Sequence, residues 1–216
     1  MVRFKVLFSI LLVLGLCSLA STVLAQTNQT RKQIIVIDPG HGGKDSGAVG
    51  INGILEKEIV LKIAKQTIEL NETVFKNQFE IYLTRYKDTL ISLENRTKLA
   101  KILKADIFIS LHCNHSDNPN ARGIEVYVSN KQYKHSRESI LLAYVLQKGL
   151  KESLGFDSRG VKFANFQVLR ETTDYSPTVL LELGFLSNRE EVQHLTEEEN
   201  MPAISLSILR ELQIKK

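Results

Sequence analysis

The sequence predicts a single α/β domain, a mainly parallel, covered sheet of about six strands flanked by helices. Three observations predict it. Apolar runs of strand length alternate with segments of helical periodicity. Several of those runs are continuous and rich in β-branched residues, as strands buried on both faces are. No repeat, low-complexity segment or linker divides the chain from residue 34 to 216.

Taken in order, Ile34–Ile37 is a buried strand, followed by a glycine-rich loop from Pro39 to Gly53. Leu55 to about Leu70 has helical periodicity. Phe79–Leu83 is a short strand and Leu93–Leu103 a helix with Arg96, Leu99, Ala100 and Leu103 at helical spacing. Ile107–Leu111 and Gly123–Val128 are further strands, and Ser136 to about Ser153 a helix. Phe166–Leu169 and Thr178–Leu183 complete the expected strands. From Glu190 onward the chain is helical, with a break expected near Pro202.

Residues 1–25 read as an export signal rather than as part of the fold. Arg3 and Lys5 precede the apolar stretch Val6–Leu16, and Val23-Leu24-Ala25 supplies a small-residue cleavage site before Gln26. The apolar stretch is short for a membrane anchor. A lipidated Cys17 is disfavoured by Leu16, where a small residue is wanted. Residues 26–33 form a polar lead-in. The expected location is therefore exported, in the periplasm or outside the cell, with no stable membrane insertion after cleavage.

Removing Arg3 and Lys5 without any acid lowers the formal charge from +4 to +2. That is too little to argue for a nucleic-acid partner, though it is compatible with an anionic wall polymer. Of two cysteines only Cys113 would remain, so no internal disulfide is expected. The chain is read as a monomer.

Three buried strands end in polar residues: Asp38-Pro39-Gly40-His41, His112-Cys113-Asn114-His115, and Val179-Leu180-Leu181-Glu182. Open α/β sheets bind ligands beyond the carboxyl ends of their strands, so His41, His112 and Glu182 can converge. Glu182 interrupts an apolar run, and a buried carboxylate is normally paired, metal-bound or protonated. On a helical wheel at about 100° per residue, Glu56 falls with Ile59, Val60, Ile63, Ala64 and Thr67, while Glu58 falls opposite with Lys62 and Lys65. Two histidines and one glutamate are a common ligand set for catalytic zinc. The spacing is not a local motif, and on residues alone metal binding and structural roles stay open.

The blocks IVIDPGHGGKDSGAVG, LEKE, TRYKD, ISLHCN, RGVKFANFQVLR and LLELGFLSN are similar, in this order, to those of the AmiC/CwlV-type or amidase_3 family of N-acetylmuramoyl-L-alanine amidases. The resemblance runs from about Ile34 to the C-terminus. It implies a peptidoglycan hydrolase with one zinc ion per chain, held by His41, Glu56 and His112, and with Glu182 as the catalytic general base and acid. Asn114, two residues beyond His112, is a candidate substrate contact. Cys113 should point away into packing, and His115 should lie in a surface loop. Asp38 and Asp45 are explained by turn formation. Arg85, Asp88 and Arg96 match family positions and read as structural. Thr172–Tyr175 is longer than the family spacing, which bears on the shape of one cleft wall.

Two rival functions remain open at this level: a zinc peptidase acting on stem peptides, and a non-catalytic wall-binding or activator protein. A helix that plugs the zinc site in some family members has no room here. Ser129–His135 could form only about two helical turns, roughly 10 Å, with nothing left for loops. An open site, and no need of an unplugging partner, are expected; any other regulatory partner is unknown.

Overall fold

The computed structural model describes residues 31–213. The export signal expected over residues 1–25 lies outside the described residues. Among these, six strands and six helices form a unit that begins at Gln33.

Strand β1 (Gln33–Pro39) lies between β2 (Phe79–Leu83) and β3 (Ile107–Asn114), and β3 pairs in turn with β6 (Thr178–Phe185), all in parallel. The pair β4 (Ile124–Ser129) and β5 (Ser158–Ala164) runs the other way, with β4 antiparallel to β6. The sheet order is β2-β1-β3-β6-β4-β5. The three central strands β1, β3 and β6 are continuous apolar runs because helices cover both their faces.

On one face lie α1 (Glu56–Thr73), α3 (Ser136–Leu154) and α6 (Met201–Leu212). Ile35, Ile37, Ile109, Leu111, Val179 and Leu181 pack there with Ile59, Ile63, Leu146, Leu150, Ile204 and Ile208, all at most 1% exposed. Each such side chain contributes roughly 1.5–3 kcal/mol of burial. The other face carries α2 (Leu93–Leu103) and α4 (Gln167–Thr172) over a smaller cluster around Val36, Phe108 and Leu180. Helix α5 (Arg189–Thr196) follows β6 directly. Strand alternation then decides the site: odd-numbered residues of β3 and β6 fill the larger core, and His112 and Glu182 face the side of α2 and α4.

Two local expectations are corrected. Phe166–Leu169 is not a strand; Phe166 precedes α4 and the rest is helical. Four residues do not separate a period of 2 from one of 3.6, and tertiary packing chose the helix. The fifth strand is instead Ser158–Ala164, a half-exposed edge strand whose polar residues disguise it. The break expected near Pro202 is found at residues 197–200, and Pro202 itself sits in the first turn of the helix that follows, where its missing N–H costs nothing.

No helix among the described residues is long and apolar enough to cross a membrane. The connection from β4 to α3, residues 130–135, contains no helix.

Candidate metal centre

Helix α1 has no side-chain cap. Its first-turn N–H groups are satisfied by the preceding loop: Glu56 N donates to Ala48 O (2.9 Å) and Lys57 N to Ser46 O (3.2 Å). Glu56 returns the contact by accepting Ala48 N at Oε2, 2.8 Å away. Loop and helix thus fix each other, and the buried Glu56 side chain is aimed at the ends of β1 and β3. Glu58 is exposed with Lys62 and Lys65, as the wheel places it.

His41 follows β1 in the left-handed region, φ 58°, an unusual place for a residue with a side chain. Two buried guanidiniums hold it there. Arg96 donates to Asp38 Oδ1 (2.7 Å), Pro39 O (2.8 Å) and His41 O (2.6 Å). Arg85 donates to Pro39 O (3.0 Å), Gly40 O (2.8 Å) and Lys57 O (2.8 Å). Asp38 is therefore not a turn residue. It is the last but one residue of β1, 1% exposed, and takes Arg96 on one oxygen and Ser110 Oγ (2.8 Å) on the other. Asp88 binds Gly43 N (2.7 Å) and Lys57 Nζ (2.8 Å), closing the loop from outside.

The close fit shows at two glycines. A Cβ on Gly40 would collide with the His112 ring, and one on Gly47, φ 64°, with the Glu56 carboxylate and the His41 ring.

His41 Nε2 lies 3.1 Å and His112 Nδ1 2.8 Å from Glu56 Oε1, and the two rings meet edge-on with centroids 4.9 Å apart. The three ligand atoms lie within 4.8 Å of one another, a cluster that could hold a metal ion. Two imidazole nitrogens and one carboxylate oxygen, converging with one side open to a cleft, suit zinc with a free fourth position. Asp45 Oδ1 lies 2.9 Å from His41 Nδ1, so Asp45 does more than form a turn: it backs the ring on the side away from Glu56. Burial disfavours a charged His41, but Glu56 and Asp45 outweigh it and push the imidazole up to about 8. Burial also raises Glu56, yet the two histidines hold its carboxyl well below the usual range.

Glu182 stands opposite His112 in the parallel register of β3 and β6, where a bulge follows between His112 and Asn114. Its Oε2 is buried with no hydrogen-bond partner among the described residues. Burial pushes the carboxyl up to about 7; His112 pulls it down, and Glu56 and Glu125 add to the rise. His41, His112 and Glu182 border a cleft of about 740 Å³ whose walls are Leu90–Leu93 and Phe166–Val168. That volume suits a small-molecule or single-saccharide group.

Asn114 lies beside this group, its Nδ2 donating to Glu125 Oε2 (3.0 Å) and its Oδ1 accepting His115 N (2.8 Å). Cys113 is buried in the larger core, and His115 is exposed. Tyr175 lines a different cavity with Gln33 and Lys104, at the amino ends of the strands, so the longer Thr172–Tyr175 segment shapes no wall of this cleft. Sequence reasoning missed Glu125. It interrupts the apolar residues Ile124 and Val126 just as Glu182 interrupts its strand, and that signal was available.

The family model for N-acetylmuramoyl-L-alanine amidase, amidase_3, matches residues 35–213. LytC of Bacillus subtilis, an N-acetylmuramoyl-L-alanine amidase, is 36% identical over 186 residues, 85% of this chain. The probable cell wall amidase LytH of Staphylococcus epidermidis is 38% identical over 164 residues, 75% of this chain. The chain spans only 36% and 51% of the lengths of these two relatives. The solved catalytic domain of CwlV from Bacillus (Paenibacillus) polymyxa var. colistinus superposes with a TM-score of 0.74 at 37% identity, covering 83% of this chain and 96% of that one. By the extent of the match and by this fold, the chain belongs to the amidase_3 family of N-acetylmuramoyl-L-alanine amidases.

Proposed function

We propose that this protein is an exported peptidoglycan hydrolase that cleaves the amide between N-acetylmuramic acid and the L-alanine of the stem peptide. The observation that carries the reading is the convergence of His41, Glu56 and His112 beside Glu182, which shares the cleft with the two histidines and whose buried Oε2 has no hydrogen-bond partner among the described residues. His41, Glu56 and His112 would hold one zinc ion, which supplies Lewis-acid polarisation of the lactyl carbonyl and an acidified water.

Glu182 stands beside the ligand set but outside it. A carboxyl raised to about 7 is matched to proton transfer near neutral pH. It takes the proton of the attacking water and delivers one to the leaving alanine nitrogen. Asn114, on the same sheet face, contacts the substrate next to Glu125. That residues 130–135 hold no helix supports an open site that works without an unplugging partner. Location at the wall follows from the expected signal and fits the name of the relative LytH, a probable cell wall amidase.

The test is digestion of isolated sacculi by the purified, zinc-loaded protein, read by mass spectrometry. Stem peptides beginning with L-alanine are expected, without any added partner. Cuts inside the stem would make it a peptidase, and absence of products would make it a binder.

A further inference from the structure

We propose that Arg159 and Lys162 form the subsite that takes the free carboxylate of the stem residue following L-alanine, so that the enzyme selects stems in which this carboxylate is not amidated. The inference rests on the amidase reading and names part of its substrate specificity.

Glu125 stands directly across from Glu182 in the antiparallel pair of β4 and β6, so the two side chains share a sheet face. Its carboxylate is 3% exposed. Four donors surround it: Tyr127 Oη (2.6 Å) and Asn114 Nδ2 (3.0 Å) on Oε2, and Arg159 Nε (2.5 Å) and Lys162 Nζ (2.6 Å) on Oε1. Two full cations therefore meet one buried anion whose Oε2 is already taken by neutral donors, and among these three side chains one positive charge is left over. The nearby acids Asp157 and Glu190 are both bound to Arg122.

The cations are presented rather than buried, at 39% and 37% exposure. Lys162 uses one of its three N–H donors on Glu125; Arg159 spends a second N–H on Arg122 O at 3.3 Å and lies 5.1 Å from the Phe185 ring. Donors remain on both for an incoming anion. Both side chains lean from the edge strand β5 back over β4, toward the strand that carries Glu182.

The substrate has an anion at the matching distance. In peptidoglycan the residue after L-alanine is a D-glutamate joined through its side chain, which leaves its α-carboxyl free or amidated. That group lies roughly 5–6 Å from the leaving nitrogen, about one residue along the chain. The strand of Glu125 lies about 4.8 Å from that of Glu182. With Glu182 at the leaving nitrogen, the carboxylate reaches the cation pair.

The test compares two soluble muropeptides, with D-glutamate or D-isoglutamine after L-alanine, on the zinc-loaded full chain. Wild type should favour the carboxylate in kcat/KM by about tenfold or more, the worth of a charge-assisted hydrogen bond. Lys162→Gln should erase most of that preference through a higher KM for the carboxylate, and Lys162→Arg should keep it. The readout is a ratio of two substrates on one preparation, so partial loss of folded protein cancels. Equal rates on both substrates in wild type, or equal losses on both in Lys162→Gln, would overturn the subsite and leave the amidase reading intact. Cleavage of neither would overturn both.

Discussion

The two ends of the sheet are held together in different ways. Around β1 and β3, loop 40–53 is pinned by backbone reciprocity with α1 and by Arg85 and Arg96, both at most 3% exposed and bonded almost wholly to carbonyl oxygens. Around β4 and β5, the charged contacts are side chain to side chain, with cations more than a third exposed. The first arrangement is of the rigid kind that a ligand set requires. The second leaves donors of partly exposed cations free for an incoming group. On the proposed reading the difference is a division of labour, with the expected chemistry on the rigid half and the proposed selection on the adaptable edge.

The largest effects should come from breaking the rigid half at its ligands. His41→Ala and His112→Ala should lose zinc and activity together, the metal read by elemental analysis of the purified chain. Glu182→Gln should keep about one zinc per chain while turnover falls on the order of 10²-fold or more. Release of zinc by that change would mean that Glu182 is a ligand and that the roles are wrongly divided.

Next in size is the clamp itself. Arg96→Met leaves Asp38 buried without its cation, and removing one partner of a buried pair costs about 3–5 kcal/mol. Chemical denaturation should show that loss; Lys162→Gln, at the edge, should cost far less. Similar losses from both would erase the contrast between the halves.

A subtler effect is the pH dependence of stability. Glu182 is pushed up to about 7 in the fold, against an ordinary 4.5. The native state therefore binds more protons between these values, and stability is fully present below about 4.5 and lost as pH rises through about 7. Glu182→Gln removes that loss. In metal-free protein it should gain on wild type by up to about 3 kcal/mol between pH 4.5 and 8. A parallel shift at all pH values would show that burial does not perturb this carboxyl. The smallest effect is the control: Glu58→Ala should leave zinc content and rate near wild type, while Glu56→Ala should weaken metal binding strongly. Equal damage from the two would sink the orientation of α1.

Much of the fold was legible because its signals are local or periodic. The central strands are long apolar runs, and α1 shows one face to the core and one to water, which alone separated Glu56 from Glu58. The family blocks then implied the expected ligand set and the role expected of Glu182. What stayed hidden was whatever depends on partners far away in the chain. Strand β5 has no apolar run because it is an edge, and only its pairing with β4 makes it a strand. Asp38 looked like a turn residue because Arg96, 58 positions on, is invisible to local pattern. Glu125 came beside Glu182 only when antiparallel register set the two against each other and two cations from the next strand closed over it. Sequence by itself determined which segments are strands and helices wherever burial imposes a period, and which glutamate of α1 turns inward. Tertiary structure alone decided which charges meet, because a buried ion pair is selected by distance in space and leaves no spacing along the chain.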